Sequence, residues 1–175
     1  QAIAYNAKGQ RETIRAGNGT TTRYQYDPET FRLVQLRTTR PGFNPVFPNS
    51  RKLLKDERVL QNTFHTYDPV GNITEIHDDA YEPAFFGNQQ VSPHSLYAYD
   101  ALYRLIAGTG RENGQASGAP RQLEDPPFSV QFPVGDPNAL RNYTQHYAYD
   151  AVGNISEMRH VAAGGNWTRL YQYAA

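Results

Sequence analysis

Tyr67-Asp68-Pro69-Val70-Gly71-Asn72-Ile73-Thr74 is the stretch whose reading decides the fold. Tyr67 closes one alternating run, His65-Thr66-Tyr67, and Ile73-Thr74-Glu75-Ile76 opens another. The residues between them carry turn chemistry. An Asp carboxylate accepts bonds from backbone amides just ahead of it, Pro presets φ, and Gly or Asn tolerates positive φ. Two alternating runs joined by a loop of roughly four to five residues predict an antiparallel β-hairpin.

The same pattern recurs along the chain. Tyr24-Gln25-Tyr26-Asp27-Pro28, Tyr97-Ala98-Tyr99-Asp100-Ala101 and Tyr147-Ala148-Tyr149-Asp150-Ala151 align with His65-Thr66-Tyr67-Asp68-Pro69. Ile73, Leu105 and Ile155 each stand five positions beyond their Asp, and Leu33 stands six beyond Asp27. A weaker copy starts at Tyr5-Asn6, and a truncated one closes the chain at Tyr171 and Tyr173. Tyrosines two apart point to one face of a strand, and Tyr143, Gln145, Tyr147 and Tyr149 extend that parity. The residues expected to build the repeat are therefore Tyr24, Tyr26 and Asp27; Tyr67, Asp68, Gly71 and Asn72; Tyr97, Tyr99 and Asp100; and Tyr147, Tyr149, Asp150, Gly153 and Asn154. Each Asp reads as a turn former and each Tyr as a packing residue. A catalytic group is normally unique, whereas this Asp occurs once per hairpin.

Composition fits broad sheets better than a conventional core. Hydrophobic residues make up 38% of the 175 residues and mean hydropathy is -0.73, yet there are 13 Tyr against 8 Phe and 1 Trp. Tyr suits a half-buried surface, because its ring packs while its hydroxyl stays near a polar partner. The 17 basic and 17 acidic residues cancel, so the basic excess of a nucleic-acid binder is missing. No apolar run is long enough to span a bilayer, and no signal-peptide pattern opens the chain. Without cysteine there are no disulfides and no cysteine nucleophile. Both ends fall inside repeat units, so residues 1–175 read as an excerpt of a longer repeat protein.

Insertions are expected at about 39–62, 78–94 and 113–142. The first holds the proline-rich Pro41 to Pro48 loop and a short helix from about Arg51 to Leu60, with Asn49 or Ser50 as cap and Leu53, Leu54, Val59 and Leu60 as its apolar side. The second contains Phe85-Phe86, expected to pack across a sheet surface. The third, rich in Gly, Pro and polar residues between Asn113 and Asn138, reads as a long surface loop.

Other chemistry finds little support. His65, His77, His94, His146 and His160 show no tight metal-ligand spacing, and His65 stands where another repeat has an aromatic ring. Asp78-Asp79 and Glu124-Asp125 lack a calcium-loop pattern. Gly17-Asn18-Gly19 and Gly108-Thr109-Gly110 read as turn or bulge glycines, not phosphate loops. Asn18, Asn72, Asn142, Asn154 and Asn166 lie in N-x-S/T sequons but read as turn or strand-end residues. The sequence assigns no catalytic residue, no cofactor and no metal. The Tyr-rich face leaves one alternative, a carbohydrate-binding or cell-adhesion module.

The ordered series Tyr26-Asp27-Pro28-Glu29-Thr30-Phe31-Arg32-Leu33, Tyr67 to Thr74, Tyr99-Asp100-Ala101-Leu102-Tyr103-Arg104-Leu105-Ile106 and Tyr149-Asp150-Ala151-Val152-Gly153-Asn154-Ile155 resembles YD repeats, also called RHS repeats. It is most similar to the B and C subunits of bacterial insecticidal toxin complexes, over essentially the whole chain. The resemblance implies a mainly β fold, antiparallel hairpin repeats forming a curved ribbon of a hollow shell. It implies encapsulation of a C-terminal toxin, other toxin-complex subunits as partners, and a secreted or cell-surface bacterial location. It implies no nucleic-acid partner and no membrane insertion by this segment. Relatives cut themselves near paired Asp-Pro-x-Gly motifs. Here that tetrapeptide occurs only at Asp68 to Gly71, inside an ordinary hairpin, and Asp136-Pro137-Asn138-Ala139 lacks the Gly. An isolated fragment is expected to self-associate through its sheet edges.

Overall fold

The computed structural model describes residues 2–42, 55–56, 58–115, 136 and 138–173. Thirteen β-strands form among them, and every pairing is antiparallel. The chain divides into two compact units. The first, Gln1–Pro83 with Pro93–Leu96, contains β1 (Ala2–Tyr5), β2 (Arg11–Arg15), β3 (Thr21–Tyr26), β4 (Leu33–Thr39), β5 (Val59–Tyr67) and β6 (Ile73–Asp78). Each of these strands pairs with its successor, and β6 then pairs with His94–Leu96 at the start of β9 (His94–Tyr99).

The second unit, Ala84–Ser92 with Tyr97–Ala175, takes the end of β9 and continues through β10 (Leu105–Asn113), β11 (Leu140–Tyr149), β12 (Ile155–Ala162) and β13 (Trp167–Leu170) in order. A separate hairpin of β7 (Ala84–Phe86) and β8 (Gln89–Val91) packs on β11, where Asn142 Nδ2 donates to the Gln90 carbonyl at 2.9 Å. Within each hairpin the pairing follows from its turn of four to six residues, which allows only an antiparallel neighbour, whereas β4–β5, β6–β9 and β10–β11 are joined by longer connections.

Every Tyr-Asp hairpin carries a β-bulge at the same place. Thr66 pairs with Glu75 and Tyr67 with Ile73, so Thr74 is left over. Glu12, Val34, Ile106 and Ser156 are the corresponding extra residues. The strict alternation expected of the second strand is therefore broken at its second position. A bulge bends its strand and increases the local twist, so a bulge per hairpin adds curvature at each repeat.

Few side chains are fully enclosed. Val59, Thr63 and Ala80 are buried in the first unit, and Ala84, Val91, Ala139, His160 and Ala162 in the second. Two expectations from sequence are corrected. Among the described residues there is no helix: Val59 and Leu60 belong to β5, where Val59 pairs with Thr39, and residues 51–54 lie outside the described residues. A β-branched residue beside an unpaired strand gains more from the ladder than from one turn of an isolated helix. Phe85 does not cover a sheet: it is 73% exposed on β7, ahead of a tight turn with φ of 56° at Gly87 and 60° at Asn88, whereas Phe86 lines a depression with Leu140 and Arg141 of β11. The loop expected between Asn113 and Asn138 falls mostly on residues 116–135, outside the described residues, as does the Glu124-Asp125 pair.

Candidate functional site: the tyrosine-aspartate hairpin

Local sequence closes each turn on its own aspartate. The Asp68 amide donates to the Asn72 carbonyl at 2.9 Å, and the Gly71 amide returns to the Asp68 carbonyl at 3.1 Å. Asp68 Oδ1 accepts the amides of Gly71 and Asn72 at 2.7 and 2.8 Å, while Oδ2 accepts Asn72 Nδ2 at 2.8 Å. Asp150 repeats this with Val152 and Asn154, and Asp100 does so with Leu102 and Arg104. Asp27 closes a loop one residue longer through Glu29 and Thr30. In the weaker copy Asn6 takes the same position, accepting the amides of Lys8 and Gln10 at 3.0 and 2.9 Å.

Two physical consequences follow. The Thr30 amide and hydroxyl hold the Asp27 carboxyl below the usual range, and the Arg104 amide and guanidinium do so for Asp100. At Asp68 and Asp150 partial desolvation pushes upward, but the summed bonds from Asn72 and Gly71, or Asn154, Val152 and Gly153, outweigh it. The position two residues before the second strand begins also needs positive φ: 76° at Gly9, 110° at Gly71 and 97° at Gly153. Two turns manage this without glycine, at Phe31 (60°) and Tyr103 (61°).

Three tyrosines that precede an Asp, Tyr26, Tyr67 and Tyr149, and Tyr173 of the truncated copy reach across to another hairpin. Tyr67 Oη donates to the Leu33 carbonyl at 2.8 Å, Tyr149 Oη to Leu105 at 2.7 Å, Tyr26 Oη to Arg11 at 3.0 Å and Tyr173 Oη to Ile155 at 3.0 Å. The acceptor is in each case the first residue after the preceding turn, Tyr-Asn before Arg11 and Tyr-Asp before the others, and it opens that hairpin's second strand. Neighbouring turns are tied as well. The Arg32 guanidinium lies 5.5 Å from the Tyr67 ring centroid and donates to the Asp68 carbonyl, while Arg104 lies 4.6 Å from the Tyr149 ring. Gln10 Nε2 donates to the Phe31 carbonyl at 2.8 Å, and Lys8 Nζ sits 2.8 Å over the Phe31 ring. Sequence reasoning missed these ties. The only signal was a long polar residue just after the turn, at Gln10, Arg32 and Arg104.

The other tyrosines of the motif pack. Tyr24 pairs with Leu36 across β3–β4, and Tyr99 pairs with Leu105 across β9–β10. Tyr147 donates to Gln145 Oε1 at 2.8 Å. Tyr97 lies against Gly108, and Tyr143 covers Gly110, where an added Cβ would come 2.5 Å from the tyrosine oxygen. Gly108 and Gly110 thus clear strand backbone for two rings on one face of β10. Gly17-Asn18-Gly19 forms the β2–β3 turn, closed by the Ala16 amide on the Thr20 carbonyl.

The histidines fall into separate surroundings. His65 is half-buried, and desolvation lowers its pKa against a bond to the Val34 carbonyl. His77 and His94 stack at 3.9 Å, with Glu75 Oε1 2.7 Å from His94 Nδ1. His160 is 2% exposed, lies between the rings of Tyr143 and Trp167 at 4.9 Å from each, and meets Glu112 Oε1 at 3.1 Å. Arg141 completes that network with Glu112 at 2.8 Å. Among the described residues no three His, Cys, Asp or Glu side chains converge as a metal site would require.

Set against known proteins, the chain matches no family model. It is 39% identical over 169 residues to toxin subunit YenC1 of Yersinia entomophaga, and 37% identical over 166 residues to YenC2. Each alignment covers 95% of the chain, and the chain spans 16% of the length of these curated relatives. Among solved structures it is similar to a Photorhabdus luminescens Tc holotoxin pore, with a TM-score of 0.68 and 36% identity over 96% of this chain and 7% of that one. It is also similar to TcdB2–TccC3 without its hypervariable C-terminal region, with a TM-score of 0.65 and 34% identity over 96% of this chain and 7% of that one. With the repeated Tyr-Asp hairpins, these similarities establish that the chain belongs to the YD-repeat (RHS-repeat) family and is like the subunits of bacterial toxin complexes.

Proposed function

We propose that this chain is a wall segment of a hollow β-shell that encapsulates a C-terminal toxin or effector polypeptide before its delivery from the bacterium. The observation that carries the reading is the tie from four Tyr hydroxyls, those of Tyr26, Tyr67, Tyr149 and Tyr173, to the carbonyl that opens the preceding hairpin's second strand. One hairpin buries neither of its faces, so stability comes from neighbours, as in other repeat proteins. In this reading the motif residues from Tyr24 to Asn154 named above are wall residues, and the chain's partners are adjoining repeats, a passenger and other toxin-complex subunits. The similarity to TcdB2–TccC3, described without a hypervariable C-terminal region, supports a passenger beyond the repeats. The proposed role is structural and not enzymatic. A sugar-binding face draws less support, because Tyr97 and Tyr143 pack against Gly108 and Gly110 and four other hydroxyls are already bonded.

Electron microscopy with limited proteolysis of the full-length protein tests the proposal. A hollow particle whose C-terminal polypeptide resists protease until the shell is opened is the expected result. A solid globule, or a C-terminal region cut as fast as free polypeptide, overturns it.

A further inference from the structure

The strands β1–β4 carry four arginines, Arg11, Arg15, Arg23 and Arg37, against a single glutamate, Glu12, although the whole chain is neutral. Register puts three of them on one face. Thr13 pairs with Arg23, Arg23 with Arg37 and Arg37 with Asn62, while Arg15 pairs with Thr21. Residues directly opposite share a face, as do residues two apart on one strand, so Arg15, Arg23 and Arg37 point the same way. All three are exposed, and none forms an ion pair or side-chain hydrogen bond with a described residue.

Arg23 and Arg37 stand directly opposite each other. Such a pair sets its Cβ atoms about 4.5–5.5 Å apart, and like charges there oppose the ladder. The fold gains nothing from that placement, whereas a bound anion would relieve it. Beside the arginines lies a depression of about 270 Å³ lined by Ala2, Ile3, Ala4, Thr13 and Arg15. The small alanines of β1 leave an apolar floor next to the Arg15 guanidinium.

We propose that Arg15, Arg23 and Arg37, with the Ala2–Ala4 depression, form a docking stripe for an acidic polypeptide segment carrying an apolar side chain beside its carboxylates. Guanidinium groups pair with carboxylates through two parallel bonds, and the apolar floor accommodates a side chain that a nucleic-acid backbone does not offer. The short stripe on a neutral chain also falls well below the footprint a nucleic acid needs. This assignment stands independently of the shell reading.

The test uses the full-length protein and a fluorescein-labelled peptide of alternating glutamate and leucine, followed by anisotropy at low ionic strength. Saturable binding is expected, with about a tenfold loss in Arg23→Gln/Arg37→Gln and a smaller loss in Arg15→Gln, as two or one exposed ion pairs imply. Arg159→Gln, on β12 of the second unit, leaves affinity unchanged. Melting curves report that each variant folds. The stripe is refuted by an absence of saturable binding, by equal affinity in the double variant, by an equal loss in Arg159→Gln, or by tighter binding of a DNA duplex of matched charge.

Discussion

The hydroxyl of Tyr67 donates to the backbone carbonyl of Leu33 at 2.8 Å, joining residues 34 positions apart in the chain. Tyr67 therefore serves two hairpins. Its backbone closes its own ladder against Ile73, and its side chain fastens the one before it. The Arg32 guanidinium, resting near the ring and reaching the Asp68 and Pro69 carbonyls, reinforces the same joint.

Removing only that oxygen isolates the tie. Tyr67→Phe is expected to destabilise the protein by about 0.5–1.5 kcal/mol, the net worth of one hydrogen bond. Chemical denaturation at neutral pH measures it. No change within error would mean that water replaces the phenol and that the tie has no energetic weight.

Positive φ separates two kinds of turn. Gly153→Ala meets no atom within 4 Å, so its cost is purely conformational, about 1–2 kcal/mol. Tyr103→Gly makes the opposite change at a φ of 61° and a 60% exposed ring, and is expected to raise stability by up to about 1 kcal/mol. Thermal melts of the two variants should move in opposite directions. Parallel shifts would contradict the reading of these turns.

Gly110→Ala tests the ring bed on β10. The new methyl would meet the Tyr143 ring, with its carbon 2.6 Å from the tyrosine Cζ, so the ring must leave its seat. A loss of about 1–3 kcal/mol is expected, as for overpacking generally. Displacement of Tyr143 also uncovers one side of His160, which nuclear magnetic resonance detects as a shifted imidazole signal.

Stability should fall in acid through the turn aspartates. Asp27, Asp68, Asp100 and Asp150 all have folded pKa values below their ordinary one. A lowered folded pKa contributes stability that is complete above the unfolded value, about 3.9, and is lost as pH drops through the folded value. Denaturation midpoints should thus hardly respond to these four groups above about pH 5, and should decline below about pH 4. Asn in place of Asp150 and Asp68 should flatten that decline. An undiminished acid slope in the double variant would remove the aspartates as its cause.

The hairpins themselves were legible in the sequence, because everything that makes them lies within about six residues. Asp68, Gly71 and Asn72 find one another whatever surrounds them, and Asn6 fills the Asp role in the weaker copy with the same amide geometry. The helix expected near Arg51 to Leu60 came from reading Val59 and Leu60 as one helical face when a partner strand at Thr39 was waiting for them. The bulges were invisible because the extra residue has no common identity: Glu12, Val34, Thr74, Ile106 and Ser156 share only a position.

Sequence alone determined where the chain turns back and which side chains close each turn, since those bonds are short-range and set by residue type. Tertiary structure decided which carbonyl Tyr26, Tyr67, Tyr149 and Tyr173 meet, across 15 to 44 residues of chain, and which arginines share a face. It also brought Glu112, Arg141 and His160 together from three strands. The physical reason is register. A ladder shifted by one residue keeps every turn intact yet sends each side chain to the opposite face, and only the packed neighbours fix which register holds.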